Sequence, residues 1–280
     1  MPELPEVETI RRDLAPALAG KTFAGVATSW PRAIKVPAPE RLSAELADRR
    51  VESIERAGKY LLFRLSGGRW LIFHLRMSGS LLLRRSTDPP DPFVRHVFAF
   101  SDGAELRFAD VRKMGVIWLV DDPRRVVGAL GVEPLSGRFT RARLVAAFAR
   151  HPKAPVKSVL LGQRAVAGVG NIYADEALWE ARIHPLRPAA SLTPAEVARL
   201  HRSIPSVLRQ AIGNRGTSKT NYVDASGEKG AHQFALRAYG RAGEPCPRCG
   251  TPIERMKLGG RGTYFCPRCQ APPVSPGGSA

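Results

Sequence analysis

The stretch Tyr60-Leu61-Leu62-Phe63-Arg64-Leu65-Ser66-Gly67-Gly68-Arg69-Trp70-Leu71-Ile72-Phe73-His74-Leu75 decides the fold class. Two short runs rich in aromatic and branched residues flank a Ser-Gly-Gly turn, the pattern of a β-hairpin with a buried face. Upstream, Val51-Glu52-Ser53-Ile54-Glu55 alternates as a half-buried strand. Downstream, Val97–Phe100 and Glu105–Phe108 flank Asp102-Gly103, a favoured hairpin turn, and Val116–Val120 adds one more strand. The region from about Lys21 to Val120 therefore reads as an antiparallel β-sandwich or barrel. Thr87–Pro92 is a surface loop within it.

Further out the period changes. Residues 5–18 place Val7, Ile10, Leu14 and Leu18 on one helical face, with Pro5 suited to the first turn and Pro16 expected to distort or end the last. After Asp121-Asp122-Pro123 the pattern becomes helical. Thr140 caps a helix to about Arg150, another spans Val156–Leu161, and a third follows Gly168-Val169-Gly170-Asn171. Thr193-Pro194-Ala195-Glu196 is a capping box opening a helix towards Gly213, with a kink expected at Pro205. Residues 214–238 are polar and glycine-rich, a loop of a length that usually serves function. There is no internal repeat.

Cys246-x2-Cys249 and Cys266-x2-Cys269 stand 16 residues apart around Gly259-Gly260. Each pair puts two thiolates on a tight turn, and the spacer lets the turns face each other around one tetrahedral Zn²⁺ on a β-hairpin. Four thiolates leave no open position, so such a zinc is structural. Arg248, Arg255, Lys257, Arg261 and Arg268 crowd the same segment and suit phosphates.

The chain carries 43 Lys+Arg against 25 Asp+Glu, a formal charge of +18 over 280 residues. That field favours a polyanion, nucleic acid first. No apolar run is long enough to span a membrane, and Glu3, Glu6 and Glu8 stand where a signal peptide needs bases. The expectation is a cytoplasmic, nucleoid-associated monomer with reduced cysteines.

Met1-Pro2-Glu3-Leu4-Pro5-Glu6 offers a reactive centre once Met1 is removed. An α-amino group has a pKa near ~8 against ~10.4 for lysine, so far more of it is nucleophilic at neutral pH. The plainer reading is a frayed terminus, with Glu3 and Glu6 as complements to a helix dipole. Gly168-Val169-Gly170-Asn171 offers backbone N–H groups to a phosphate, or only a helix cap by Asn171. Lys59 enters an apolar strand and His74 ends one, and ordinary strand-end roles fit both.

Taken together, Pro2–Thr9, Gly58–Leu62, His74–Gly79, Gly168–Glu176, Tyr239–Arg241 and the four-cysteine segment resemble the formamidopyrimidine-DNA glycosylase family, in its order and over nearly the whole chain. The resemblance implies a multidomain α+β protein. An N-terminal helix plus antiparallel β-sandwich would cover 2–132, and a helix–two-turn–helix domain 133–240 with a lesion-capping loop at 217–234. A zinc-stapled β-hairpin would follow at 241–270 and a disordered tail at 271–280. It implies base-excision repair of damaged double-stranded DNA by a glycosylase and AP lyase acting on oxidised purines. Oxidised pyrimidines, as for the endonuclease VIII type, and a scaffold that binds without cutting are the alternatives. By position Pro2 matches the nucleophile, Glu3 the proton donor, Lys59 a further catalytic lysine and Glu6 a supporting carboxylate. His74, Lys157, Asn171 and Arg261 match groups on the DNA backbone. Met77 and Arg112 match the wedge that fills the space of a flipped nucleotide. Met114 stands where the family has an aromatic, and Ser218-Lys219-Thr220-Asn221 departs from its capping-loop pattern.

Overall fold

The computed structural model describes residues 2–272; Met1 and the part of the expected tail from 273 onward lie outside them. The chain divides into two compact units, Met1–Ala129 with Ala211–Gln233, and Leu130–Gln210 with Phe234–Ala280. The sequence boundaries at 132 and 240 differ from this division, which groups most of the 217–234 loop with the sheets.

In the first unit, helix α1 (Leu4–Leu18) precedes β1 (Phe23–Thr28), β2 (Ile34–Val36) and α2 (Pro39–Leu46). There follow β3 (Val51–Ala57), β4 (Tyr60–Leu65), β5 (Arg69–His74), β6 (Gly79–Arg85), β7 (Val94–Phe100), β8 (Ala104–Asp110), β9 (Val116–Val120) and the short α3 (Arg124–Val127). One sheet has the order β1-β7-β8-β6 and the other β2-β9-β5-β4-β3; only the β2–β9 pair is parallel. The hairpin that decides the fold pairs Tyr60 with His74 and Leu65 with Arg69.

The two sheets share one core. Phe73 of β5 meets Phe98 of β7 edge-on at 5.2 Å and Phe108 of β8 at 5.8 Å, the offset geometry aromatic rings prefer. Val7, Ile10, Leu14 and Leu18 add the apolar face of α1. Inward His96, Phe98 and Phe100 alternate with less buried neighbours along β7. β4 and β5 read as near-continuous apolar runs because their second face is covered too. Leu62, Ile72 and Val120 pack there with Trp70, Trp118 and, from α3, Val126 and Val127.

Pro16 does not end α1, which continues to Leu18. Proline in a last turn forfeits one backbone bond, and the buried Leu14 and Leu18 hold that turn on the core.

The second unit contains α4 (Arg141–Ala149), α5 (Val156–Leu161), α6 (Asn171–Ala181) and most of α7 (Pro194–Gly213). A hairpin of β10 (Glu254–Leu258) and β11 (Arg261–Phe265) completes it. Thr140 caps α4 through a bond from Arg143 N, as its sequence signals. Thr193 and Glu196 form the expected capping box, with Glu196 Oε2 accepting from Thr193 N at 2.8 Å. α7 runs through Pro205 as one helix. Gly259 and Gly260 turn the hairpin with φ of 54° and 76°, the left-handed pair such a two-residue turn requires.

Candidate active site and nucleic-acid interface

The chain start is not frayed. Pro2, Glu3 and Glu6 are all buried. Glu3 is the N-cap of α1, and Glu3 N donates to Glu6 Oε2 at 2.7 Å in a reciprocal capping box. The other oxygen of Glu6 accepts from Thr217 N at 2.8 Å. Glu6 thus joins the helix start to the 214–233 loop. That contact needs a close approach at Gly216, where φ is +84° and an added Cβ would lie 3.0 Å from Glu6 and 2.9 Å from Tyr222.

Lys59 is buried beside Gly58, whose φ is 57°. A device absent from the sequence reading holds this turn. Glu8 accepts from Arg11, Arg12 and Arg56, and Arg56 in turn donates to the Gly58 carbonyl at 3.1 Å. Burial alone would raise the Glu8 pKa, but the bonds from Arg11 and Arg12 bring it down to about 2. A charged carboxylate therefore anchors the turn throughout the physiological range.

His74 is no surface histidine. It is 8% exposed, packs edge-on against Tyr60 at 4.5 Å, and its Nδ1 accepts from Arg76 N at 3.0 Å. Burial, with the charges of Arg76 and Lys59, lowers its pKa to about 3, so the ring is neutral near pH 7.

The three wedge candidates share one surface of this unit. Met77 and Met114 are 43% and 40% exposed, and Arg112 Nη1 lies 3.4 Å from Met77 Sδ. Met114 is therefore a surface residue.

The 214–233 loop is tied by its own polar side chains. Ser218 Oγ donates to Tyr222 O and accepts from Gly230 N, and Ser218 N donates to Gln233. Asp224 accepts from Arg215 Nε, Ser226 N and Glu228 N. Ser218, one of the departures from the family pattern, thus has a structural role of its own.

In the second unit, Gly168 adopts φ +82° and Gly170 is the N-cap of α6. Asn171 is the first helical residue and not the cap. Its Nδ2 donates to Gly262 O at 2.9 Å. Gln163, unmarked in the sequence, fixes the loop before α6 by donating to Leu161 O and Val169 O and accepting from Gly168 N.

The resemblance matches Lys157 to a group on the DNA backbone; within this chain it is held by its own neighbours. Its side chain is fully buried, and its ammonium meets Asp175 Oδ1 at 2.7 Å, Thr263 Oγ1 at 2.8 Å and Gly262 O at 3.4 Å. Through Thr263 and Gly262, Lys157 ties α5 to the β10–β11 hairpin. Asp175 also accepts from Tyr264 N at 3.0 Å. Burial outweighs the Lys157 charge and pushes the Asp175 pKa up to about 7. Glu176, next on α6, accepts from the backbone of Arg237, Ala238 and Tyr239. Arg261 follows the Gly-Gly turn, is exposed, and directly precedes the residues held by Lys157 and Asn171. Arg248 is not exposed to solvent in the same way: it stacks on Trp179 at 4.0 Å and donates to its carbonyl.

The ligand atoms of Cys246, Cys249, Cys266 and Cys269 all lie within 4.8 Å of one another, and none of the four forms a disulfide. Zn–S bonds of about 2.3 Å place tetrahedral thiolates roughly 3.8 Å apart, so this donor set fits one structural Zn²⁺. Trp179 Nε1 and Cys269 N each lie 3.4 Å from a cysteine sulfur, on Cys246 and Cys266, as N–H donors that orient thiolate ligands.

Three family descriptions match the chain: the formamidopyrimidine-DNA glycosylase N-terminal domain over 1–117, its H2TH domain over 130–222, and the zinc finger found in FPG and IleRS over 243–272. The formamidopyrimidine-DNA glycosylase of Herpetosiphon aurantiacus is 47% identical over 276 residues, covering 97% of this chain and 100% of the relative. That of Symbiobacterium thermophilum is 49% identical, covering 98% and 90%. A Lactococcus lactis FPG mutant in complex with Fapy-dG DNA superposes with a TM-score of 0.90 at 37% identity, covering 97% and 100%. The MutM (FPG) protein of Thermus thermophilus does so at 0.87 and 40%, covering 98% and 100%. A MutM complex with carbocyclic 8-oxo-G DNA does so at 0.89 and 37%, covering 97% and 100%.

Proposed function

The chain belongs to the formamidopyrimidine-DNA glycosylase family, and from that premise we propose that it excises oxidised purines from duplex DNA and then cleaves the strand as an AP lyase. The observation that carries this reading is the buried chain start, where Pro2, Glu3 and Glu6 are held by a capping box that a mere terminus does not need.

The Pro2 amine attacks C1′ of the flipped nucleotide, and the base departs with the glycosidic electron pair and a proton. A secondary amine yields an iminium ion, which stays charged without a proton and draws electrons from C2′. Loss of a C2′ proton expels the 3′ phosphate, and a second elimination expels the 5′ phosphate. Glu3 protonates the ring oxygen as the sugar opens. Glu6 accepts from Glu3 N and so positions that residue. Lys59, buried beside His74, supplies positive charge to the adjacent phosphate and to the reacting sugar.

Flipping costs a few kcal/mol of stacking, which a wedge offsets by filling the space left behind. Met77, Arg112 and Met114 are exposed side chains of the right chemistry, one cationic and two apolar. On the second unit, Arg261 and the remaining N–H of Asn171 take backbone phosphates, and the neutral His74 takes one on the first. When bound, zinc supplies the staple of the finger hairpin, and Lys157 with Asp175 sets the position of that hairpin. Basic charge makes the binding fall steeply with salt.

A panel of duplexes holding 8-oxoguanine, formamidopyrimidine, thymine glycol or an abasic site tests the reading. Release of the two purine lesions with strand cleavage at all abasic products is expected. Preference for thymine glycol would move the enzyme to the pyrimidine branch, and binding with no cleavage would leave a damage-binding protein.

A further inference from the structure

Asp110 ends β8 and is 3% exposed, next to a loop whose side chains are exposed. Its two oxygens divide their work. Oδ1 accepts from Ser78 Oγ at 2.6 Å and from Arg112 N at 3.1 Å. Oδ2 accepts from Met114 N at 2.7 Å and from Gly115 N at 2.6 Å. Ser78 directly follows Met77, and its hydroxyl oxygen also accepts from Arg112 N at 3.2 Å. One buried carboxylate therefore bonds the backbone of Arg112 and Met114 and the residue after Met77.

The surroundings fix that carboxylate in turn. Asp110 N donates to Phe93 O at 3.0 Å, Arg95 Nε donates to Asp110 O at 3.1 Å, and Asp110 pairs with Gly79 across the β6–β8 ladder. The loop it grips is tight. Lys113 sits at φ 56°, and a Cβ on Gly115 would lie 2.3 Å from Phe108. At the far side of the loop the Lys113 ammonium lies 4.6 Å from the ring centre of Trp30, a cation–π contact. Carboxylate bonds to N–H groups are about twice as strong as neutral ones, and buried they have no water to compete with.

We propose that Asp110 is the positioning residue of the wedge, locking Met77, Arg112 and Met114 into one preorganised unit before DNA is engaged. The proposal rests on the reading of those three side chains as the void-filling wedge. A preorganised wedge matters here because two of its members are methionines, whose flexible side chains would otherwise leave the hole only loosely filled. Asp110 itself touches no DNA; it acts through the loop backbone.

The test uses Asp110→Asn, which keeps shape and turns half of the acceptor set into donors facing N–H groups. Three readouts are compared with wild type: 2-aminopurine fluorescence opposite a tetrahydrofuran abasic analogue, which reports wedge insertion without catalysis; single-turnover release of 8-oxoguanine from duplex; and cleavage of a single-stranded oligonucleotide holding an abasic site, where no hole exists to fill. Loss of one charged hydrogen bond in a network slows the duplex step by about tenfold or more. The insertion signal falls with it, and the single-strand cleavage falls by less than about twofold to threefold on the same reasoning. Ser78→Ala, which leaves the three N–H bonds on Asp110 in place, repeats the selectivity at smaller size and decides the matter if Asp110→Asn does not fold. Equal loss on duplex and single strand, or an unchanged insertion signal in Ser78→Ala and Asp110→Asn, overturns the proposal. Wild-type protein that inserts its wedge but releases no oxidised purine overturns the functional reading and leaves this one standing.

Discussion

At pH 8.5, above the raised pKa of Asp175, Asp175→Asn removes the charge opposite a lysine that has no access to water. Both side chains of the Lys157–Asp175 pair are 0% exposed, and their charged atoms are 2.7 Å apart. Removing one partner of a buried pair costs about 3–5 kcal/mol, because the desolvated charge left behind has no compensation. The amide is nearly isosteric, so packing contributes little to that figure. At the lower end, about 3 kcal/mol, the unfolding midpoint falls by roughly 6–12 °C for a cooperative unit of this size. Lys157 also bonds Thr263 and Gly262, and Asp175 bonds Tyr264 N, so the loss is concentrated at the finger hairpin. Urea titration with a chromogenic chelator, recording zinc released per protein, reads that region directly. Zinc release in Asp175→Asn is expected at clearly lower urea than in wild type. Lys157→Met combined with Asp175→Asn removes the stranded charge and recovers more than half of the loss. A single variant within about 1 kcal/mol of wild type, well below the cost of a broken buried pair, refutes the reasoning. So does a double variant no better than the single.

Acid sensitivity follows from His74. Its folded pKa is lowered to about 3 against an ordinary 6.5, so between those values the unfolded chain binds a proton that the native protein does not, and stability falls as pH drops. His74→Gln should reduce, without abolishing, the slope of the stability profile between pH 6.5 and about 4.5, because the buried His96 also has a lowered pKa; an unchanged slope there counts against a neutral buried His74 ring. Gly216→Ala places a Cβ 3.0 Å from Glu6 at φ +84°, and single-turnover 8-oxoguanine release should fall by about tenfold while zinc content stays at one per chain. Cys269→Ser removes one thiolate from the four-cysteine set and chelation removes the zinc; in either case duplex binding at moderate salt should be lost before the sheet core melts, as circular dichroism and fluorescence anisotropy would show together.

What the sequence made legible followed local chemistry. The β4–β5 hairpin, the Thr140 and Thr193 caps and the four-cysteine finger are each written in neighbouring residues. Other elements were invisible for stated reasons. β6 hides because Gly79-Ser80 opens it among polar residues, and α2 is a short helix with Pro39 at its start. The site was legible as residue types through family resemblance, but its supports were not. Asp110, Gln163, Glu8 with Arg56, and Asp175 all act by partners distant in sequence or by backbone N–H groups, which carry no pattern. Lys157 shows the converse. The family resemblance matches it to a phosphate contact by position, and no pattern in the sequence shows that its ammonium pairs with the buried Asp175.

The central claim is that the Pro2 amine is the nucleophile. Borohydride reduces an iminium to a stable amine, so protein incubated with 8-oxoguanine duplex and borohydride should be trapped on DNA one to one. Mass spectrometry of the digested complex should place the sugar adduct on the peptide that begins with Pro2. An adduct on Lys59 or elsewhere, or undiminished trapping by Pro2→Gly or by protein that retains Met1, would contradict it.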